Sequence, residues 1–293
     1  MAMFIWHNGA LVKKEEASIS PFDHGFLYGV GLFETFRVYN GHCFLLDDHL
    51  ARLNAGLEVL EIKKRINRPE AVRAVKELIE ANGFMDAYIR LNISAGAGEI
   101  GLRSEPYSEP EMIVFSKPLP RAGSLQEKSG KIVSLNRNTP EGQQRLKSHH
   151  YLNNLLAYRE MRDAPGAEGI FLTKDGHVAE GIVSNIFWVS EGALFTPSLE
   201  TGILNGITRQ FVIELARKAG LDVREGLYSV DELLASEEVF FTNSIQEIVA
   251  CPQIGDNKLP GKAGRLAQWL HNRYAACREI YYSRNELGTE GFS

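Results

Sequence analysis

Two Asn-Gly dipeptides, Asn8-Gly9 and Asn40-Gly41, each separate a pair of short apolar runs, and no other local feature constrains the fold as tightly. Asn-Gly suits a two-residue turn with positive φ at both central positions, whose twist matches that of the strands it joins. Ile5-Trp6-His7 and Ala10-Leu11-Val12 therefore form one hairpin, and residues 35–39 with 42–45 form a second. Residues 47–60 follow as a helix, with Leu50, Leu53, Leu57 and Leu60 at steps of three and four. A second helix spans 69–81, with Asn67 or Arg68 before it, Pro69 in its first turn and Gly83 past its end. Residues 87–94 and 112–115 have the pattern of strands.

The run Pro118-Leu-Pro-Arg-Ala-Gly123 breaks this pattern and marks a domain boundary, 1–118 against 119–293. Beyond it come a strand at 131–135, a loop around Lys147 and a helix to about Arg162. Strands are expected at 169–173, 184–189 and 193–196, then a helix at 208–219 stopped by Gly220. The chain continues with a strand near Val223, a short helix at 230–235, strands at 239–242 and 248–251, and a helix from Gly261 to about Tyr282. No repeat or low-complexity segment interrupts the order. The reading is an α/β chain of the α+β kind in two domains.

At 293 residues the chain is long enough for two real cores, and 44% hydrophobic with 24% charged residues is ordinary for a soluble globular protein. A net charge of −5 without a dense Lys/Arg block speaks against nucleic-acid binding. The first residues lack the basic-then-apolar pattern of a signal peptide, and no apolar run approaches the roughly 18 residues of a membrane span. Cys43, Cys251 and Cys277 are scattered and odd in number, as befits reduced thiols in a cytoplasm. His42, His49, His149 and His150 lack zinc-site spacing, so no metal is expected.

The chemistry concentrates in Arg145-Leu-Lys-Ser-His-His-Tyr-Leu-Asn-Asn154 and Glu180-Gly-Ile-Val-Ser-Asn-Ile-Phe-Trp188. Lys147 on helical spacing shares a face with Tyr151 and Asn154, where partial desolvation beside aromatic groups would favour a neutral, nucleophilic amine. Glu180 opens an apolar strand and suits a carboxylate that holds a proton on a pyridine nitrogen. A lysine that forms a Schiff base and a carboxylate on a ring nitrogen together fit pyridoxal 5'-phosphate chemistry. A solvated lysine and an ordinary turn glutamate fit the same residues taken singly. For an anion such as the cofactor phosphate, the backbone at Ile207 and Thr208 opens a helix, and Thr242-Asn-Ser-Ile-Gln-Glu247 offers hydroxyls and N–H groups at a strand end. Arg52 could add fixed positive charge, although a helix cap and a solvated helix face are equally ordinary readings. The glycines of residues 24–35 form neither a dinucleotide turn nor a Walker loop. Interleaved with Tyr28 and Phe33, they suit a loop whose backbone approaches a ligand.

Taken in order, Asp23-His-Gly-Phe-Leu-Tyr-Gly-Val-Gly-Leu-Phe-Glu-Thr-Phe-Arg37, Asp48-His-Leu-Ala-Arg-Leu53, Lys147, the Glu180 strand, Gly202-Ile-Leu-Asn-Gly-Ile-Thr-Arg209 and Asn243-Ser-Ile-Gln-Glu247 resemble the fold-type IV pyridoxal-phosphate enzymes over nearly the whole chain. These include branched-chain aminotransferases, D-amino-acid aminotransferases and aminodeoxychorismate lyases. The resemblance implies a small α/β domain followed by a larger pseudo-barrel α/β domain. It places the active site at the domain interface of a homodimer, with Tyr28 reaching toward the partner's site. It implies Lys147 as the Schiff-base lysine, Glu180 as the partner of the pyridine nitrogen, and Ser184 and Asn185 of the same motif among the cofactor-binding residues. Arg52, Ile207, Thr208, Ser244 and Ile245 would hold the phosphate. Tyr151 would lie near the phenolic oxygen, although it stands one residue closer to the lysine than the branched-chain enzymes have it.

The Arg-x-His carboxylate trap of the D-amino-acid enzymes is missing from Ser94-Ala-Gly-Ala-Gly-Glu-Ile-Gly101, and Ser148-His-His-Tyr151 replaces the Gly-Gly-Asn-Tyr of the branched-chain enzymes. The short start, the Arg37-Val-Tyr-Asn-Gly41 hairpin and the run 147–154 are most similar to the aminodeoxychorismate lyases of folate biosynthesis. That resemblance implies a carbon–oxygen lyase giving 4-aminobenzoate and pyruvate, with Lys147 as general base and Tyr28, Phe33 and Arg90 near the substrate. Arg90 equally suits a structural salt bridge. A transaminase of the same fold, a weakly active cofactor binder and a non-catalytic α/β interaction module are the alternatives.

Overall fold

The structure is a computed structural model that describes residues 3–288. It divides into two compact units. The first holds the described residues up to Ala122 together with Leu146–His150 and Arg278–Ser283, and the second holds Gly123–Arg145, Tyr151–Cys277 and the described residues from Arg284 on.

In the first unit, β1 (Phe4–His7), β2 (Ala10–Lys13), β3 (Gly31–Tyr39), β4 (His42–Cys43), β5 (Ala87–Ser94) and β6 (Glu111–Pro118) form one sheet in the order β2-β1-β6-β5-β3-β4. Every neighbouring pair is antiparallel. Both Asn-Gly turns have the expected backbone, with φ of 44° and 100° at Asn8 and Gly9 and of 47° and 83° at Asn40 and Gly41. The helices are α1 (His24–Tyr28), α2 (Leu46–Val59) and α3 (Arg68–Asn82). Asn67 caps α3 by accepting a hydrogen bond from the Glu70 N–H, with Pro69 in the first turn and Gly83 left-handed at its end. Along β5, Ala87, Ile89, Leu91 and Ile93 enter the core with Leu50, Leu53 and Leu57 of α2 and Val75 and Leu78 of α3. Tyr88, Arg90 and Asn92 line the other, half-exposed face. This is the period-two alternation of a sheet covered on one side by helices.

In the second unit, β7 (Gln126–Glu127), β8 (Gly130–Ile132), β9 (Glu168–Leu172), β10 (Val178–Gly181), β11 (Asn185–Ser190), β12 (Ala193–Pro197), β13 (Val223–Gly226), β14 (Glu238–Asn243), β15 (Glu247–Cys251), β16 (Gln253–Ile254) and β17 (Asn257–Lys258) make two sheets. Their orders are β10-β9-β8-β16-β17 and β13-β12-β11-β14-β15-β7. Ile170 and Val178 of one sheet share a core with Ile186, Trp188, Phe241 and Val249 of the other. The expected pseudo-barrel is therefore two open sheets packed on a common core, and their pairing among the described residues closes no barrel. The helices are α4 (Leu152–Glu160), α5 (Ile207–Lys218), α6 (Val230–Leu234) and α7 (Arg265–Cys277). Phe211 of α5 meets Tyr274 of α7 edge to face.

Three local expectations change. The segment read as a ligand-approaching loop contains α1, whose first turn is capped by the buried Asp23 carboxylate on the Gly25 N–H. The last helix is shorter than 261–282, because a 3-10 turn at Gly261–Ala263 precedes α7, which ends at Cys277. The helix expected to carry Lys147 begins only at Leu152. Among the described residues no helix is long and apolar enough to cross a membrane. Leu57 is fully buried in the core of the first unit. Leu57→Ala is expected to lower unfolding free energy by about 2–5 kcal/mol in urea denaturation while leaving the far-ultraviolet circular dichroism unchanged.

Candidate active site

Lys147 is positioned by a strand. The Phe33 N–H donates to the Lys147 carbonyl (2.9 Å), the His149 N–H donates to the Gly31 carbonyl (3.1 Å), and Leu32 and Ser148 form an antiparallel bridge. Residues 147–149 thus run along β3, and a Cβ at Gly31 would overlap the His149 ring. The proposed helical face of Lys147, Tyr151 and Asn154 does not exist. Lys147 is extended and belongs to the first unit, whereas Tyr151 is the half-exposed N-cap of α4 and Asn154 a buried residue of α4, both in the second. Within the first unit the ammonium of Lys147 stands 4.6 Å from the centroid of the buried Phe33 ring.

Beneath this segment β3 carries a charge that the sequence reading left without a role. Glu34 is 1% exposed and faces α2. Arg52 Nε donates to its Oε1 and Arg52 Nη2 to its Oε2, each at 2.7 Å, and His49 Nδ1 lies 2.7 Å from the same Oε2. Burial alone would raise the Glu34 pKa, but Arg52 and His49 overcome it and hold the carboxyl at about 2. Burial pushes the His49 pKa down against the pull of Glu34, and the nearby cations Arg52 and Lys147 push it further. His49 and Arg52 stand three residues apart on one face of α2, a spacing legible in the sequence.

On the half-exposed face of β5, the Arg90 guanidinium lies 3.6 Å from the Phe33 centroid, and its Nη2 donates to Asn92 Oδ1 at 3.3 Å. His149 Nε2 shares that oxygen at 3.1 Å, and its ring stacks at 29° to Phe33. The structural salt bridge considered for Arg90 is not formed among the described residues. Phe33, Arg90 and Lys147 are thus brought together, while Tyr28 sits at the end of α1 with its hydroxyl accepting the Gly101 N–H at 2.7 Å.

In the second unit, Glu180 lies inside β10 at 4% exposure. Arg137 Nε donates to its Oε1 at 2.8 Å, Arg145 Nε is 3.9 Å from the same oxygen, and the Leu204 N–H donates to Oε2 at 3.0 Å. Asn185 Nδ2 reaches Oε2 at 3.4 Å and the Leu204 carbonyl at 2.9 Å. Arg137 in turn donates to Asn153 (2.8 Å) and Asn154 (3.3 Å), which ties the carboxylate to α4. The sequence reading missed Arg137 and Arg145. Nothing in their loop distinguishes them from solvated arginines until the chain folds back on Glu180. Ser184, grouped with the cofactor residues by its motif, donates its hydroxyl to the buried Glu168 at 2.8 Å.

Of the residues expected to hold an anion, Ile207, Thr208, Ser244 and Ile245 lie in this unit, and Arg52 in the first. Gly206 is the N-cap of α5 and provides no side-chain cap, so the first N–H groups of the helix have no partner from that side chain. A Cβ at Gly206 would overlap Asn185 Oδ1, so glycine is required there. The hydroxyls of Thr208 and Ser244 are 3.4 Å apart at this helix start. The Ile245 N–H, by contrast, donates to Asn243 Oδ1 at 2.9 Å within an Asx turn. Thr242 Oγ1 is buried without a hydrogen-bond partner among the described residues. An amine on a strand edge, a buried carboxylate with fixed direction, an uncapped helix start with two hydroxyls and a braced arginine are the donor set that a phosphorylated pyridine aldehyde requires.

Burial pushes the His149 pKa down from 6.5 to about 4, and Arg90 adds to the effect. Between those values the unfolded chain binds a proton that the folded chain refuses, so stability falls as pH drops from 6.5 toward 4. The depressed Glu34 acts lower, its contribution fading only below its unfolded value of 4.5, toward about 2. Melting temperature is expected to decline from about pH 6.5 to about pH 4.5, and less steeply in His149→Asn. Parallel profiles for the two proteins would contradict this assignment.

Comparison with known proteins identifies the family. The pattern of the family described as Amino-transferase class IV matches residues 31–254. The chain is 44% identical over 286 residues to the aminodeoxychorismate lyase of Bacillus subtilis (strain 168), covering 97% of each chain. It is 34% identical over 280 residues to a putative branched-chain-amino-acid aminotransferase of Methanocaldococcus jannaschii, covering 94% of this chain and 96% of the relative. Among solved structures, the branched-chain aminotransferase of the thermophilic archaeon Thermoproteus uzoniensis with norvaline superposes with a TM-score of 0.85 at 31% identity, covering 96% of this chain and 97% of that one. The chain belongs to the class IV aminotransferase family and is a pyridoxal-phosphate enzyme.

Proposed function

We propose that this protein is a 4-amino-4-deoxychorismate lyase that releases 4-aminobenzoate and pyruvate in folate biosynthesis. The observation that carries the reading is its full-length similarity to the Bacillus subtilis lyase, which exceeds its similarity to the aminotransferase relative. Bound pyridoxal 5'-phosphate supplies an electron sink conjugated to the carbon that bears the substrate amine. Lys147 provides the amine that attaches the cofactor. Released, it takes the proton from ring carbon 4 as general base, a role worth on the order of 10²–10⁴-fold. The bond from ring carbon 3 to the enolpyruvyl oxygen then breaks, Lys147 returns a proton to the departing group, and the ring becomes aromatic. That gain favours elimination over transamination.

Glu180 would hold the ring nitrogen of the bound cofactor, its direction set by Arg137, Asn185 and the Leu204 N–H. Arg52, the N–H groups of Ile207 and Thr208, and the hydroxyls of Thr208 and Ser244 would hold the phosphate. Ile245 shapes the turn after Asn243, Ser184 braces the loop after Glu180, and Tyr151 would border the phenolic oxygen. Arg90, with no carboxylate partner among the described residues, takes a substrate carboxylate above the Phe33 ring, and Tyr28 reaches toward the partner's site.

The purified protein is expected to be yellow and to convert aminodeoxychorismate to 4-aminobenzoate. Lys147→Ala should lose both the colour and the activity. Glutamate accumulating from leucine or D-alanine plus 2-oxoglutarate, with no 4-aminobenzoate formed, would assign the protein to the transaminases instead. A colourless preparation that takes up no cofactor would end the reading altogether.

The enzyme works as a cytoplasmic homodimer. Cys43, Cys251 and Cys277, in no disulfide among the described residues, suit a reducing compartment. Leu152, Leu155 and Leu156 are exposed on one side of α4, and Phe26, Ile100 and Leu102 are exposed in the first unit, as surfaces covered by a second copy would be. Sedimentation is expected to give about twice the chain mass of 32.7 kDa, and Leu155→Lys to shift the population toward monomer. A wild-type monomer at micromolar concentration would refute the dimer.

A further inference from the structure

Glu34 belongs to a motif segment, Phe33-Glu-Thr35, yet nothing in the reaction described above uses it. It is a carboxylate placed on the core side of a nearly wholly buried strand, where an unpaired charge would be strongly unfavourable. Its partners explain how it is tolerated. Arg52 offers two adjacent edges of its guanidinium, Nε and Nη2, to the two carboxylate oxygens at 2.7 Å each, the parallel two-bond geometry that fixes a planar fork in one orientation. His49 closes the third side through Nδ1 at 2.7 Å. Three side chains from β3 and α2 therefore form one rigid unit with Arg52 at its half-exposed rim, at 18% side-chain exposure against 1% for Glu34.

We propose that Glu34 is the positioning residue for the phosphate-binding arginine: it holds Arg52 in a single rotamer aimed at the cofactor phosphate, with His49 locking the carboxylate from behind. This rests on the reading that Arg52 meets the phosphate. A long arginine side chain otherwise loses rotamer freedom when it is immobilised, and a side chain already held in place avoids that loss on binding. The opposite effect, in which Glu34 weakens phosphate binding by neutralising Arg52, predicts the reverse sign, so experiment separates the two.

The test titrates apoprotein with pyridoxal 5'-phosphate and with unphosphorylated pyridoxal, and takes the ratio of the two dissociation constants as a measure of phosphate recognition. Glu34→Gln is expected to lower the preference for the phosphorylated form about tenfold, with pyridoxal affinity unchanged. Arg52→Ala should lower it at least as much, and Glu34→Gln added to Arg52→Ala should cause no further loss, because the carboxylate acts only through the arginine. Glu34→Asp, which keeps the charge but shortens the reach to both guanidinium edges, provides a second variant if the glutamine protein folds poorly, and the same direction is expected. A general structural defect would weaken both ligands alike. If Arg52→Ala changes the ratio while both Glu34 variants leave it unaltered or raise it, the positioning role is wrong and the phosphate reading survives. If Arg52→Ala leaves the ratio unchanged, the assignment of Arg52 to the phosphate falls, and the role of Glu34 with it.

Discussion

The backbone hydrogen bonds between β3 and residues 147–149 fix the placement of Lys147 in the first unit. Here the Phe33 N–H and the Gly31 carbonyl hold the segment as an added strand, so the Cα of Lys147 is fixed by the sheet. The same pairing sets what surrounds the side chain. Phe33 presents its ring to Lys147, Arg90 and His149 together, and Gly31 leaves room for the His149 imidazole where any side chain would collide.

Each unit also buries a carboxylate, and the two are satisfied differently. Glu34 is enclosed by Arg52 and His49, while Glu180 is held by Arg137, Asn185 and a backbone N–H. A buried ion pair adds little net stability over an apolar pair of the same shape, but removing one partner from it is costly. What the several donors fix in each case is direction, because a carboxylate held on both oxygens cannot rotate. The uncapped start of α5 follows the same logic. A side-chain cap at Gly206 would satisfy the helix N–H groups that an anion needs, and any Cβ there would displace Asn185 from its place beside Glu180.

The hairpins, α2, α3 and α5 were legible in the sequence because their signals are local. Asn-Gly needs only its own backbone to turn, leucines at three- and four-residue steps need only a helix to align, and Asn67, Pro69 and Gly83 bracket α3 without help from elsewhere. The segment from Lys147 to Asn154 misled for the same reason. Its spacing suits a helical face, but pairing with β3, more than a hundred residues earlier, holds Lys147 extended and delays the helix to Leu152. Arg137 and Arg145 were invisible because their partner, Glu180, lies 43 and 35 residues away, and no local pattern records such a meeting.

The sequence by itself determined the chemical class. An ordered set of motifs, with Lys147, Glu180, Arg52 and the Gly-Ile-Thr helix start, identifies the family because side-chain chemistry and short-range backbone preference are written into the residues. Only the tertiary structure decided how those groups are held: Lys147 on a strand edge, Arg52 on a buried glutamate, Glu180 under an arginine. Such contacts join residues distant in sequence, and burial and distance, which set their strength, exist only once the chain has folded.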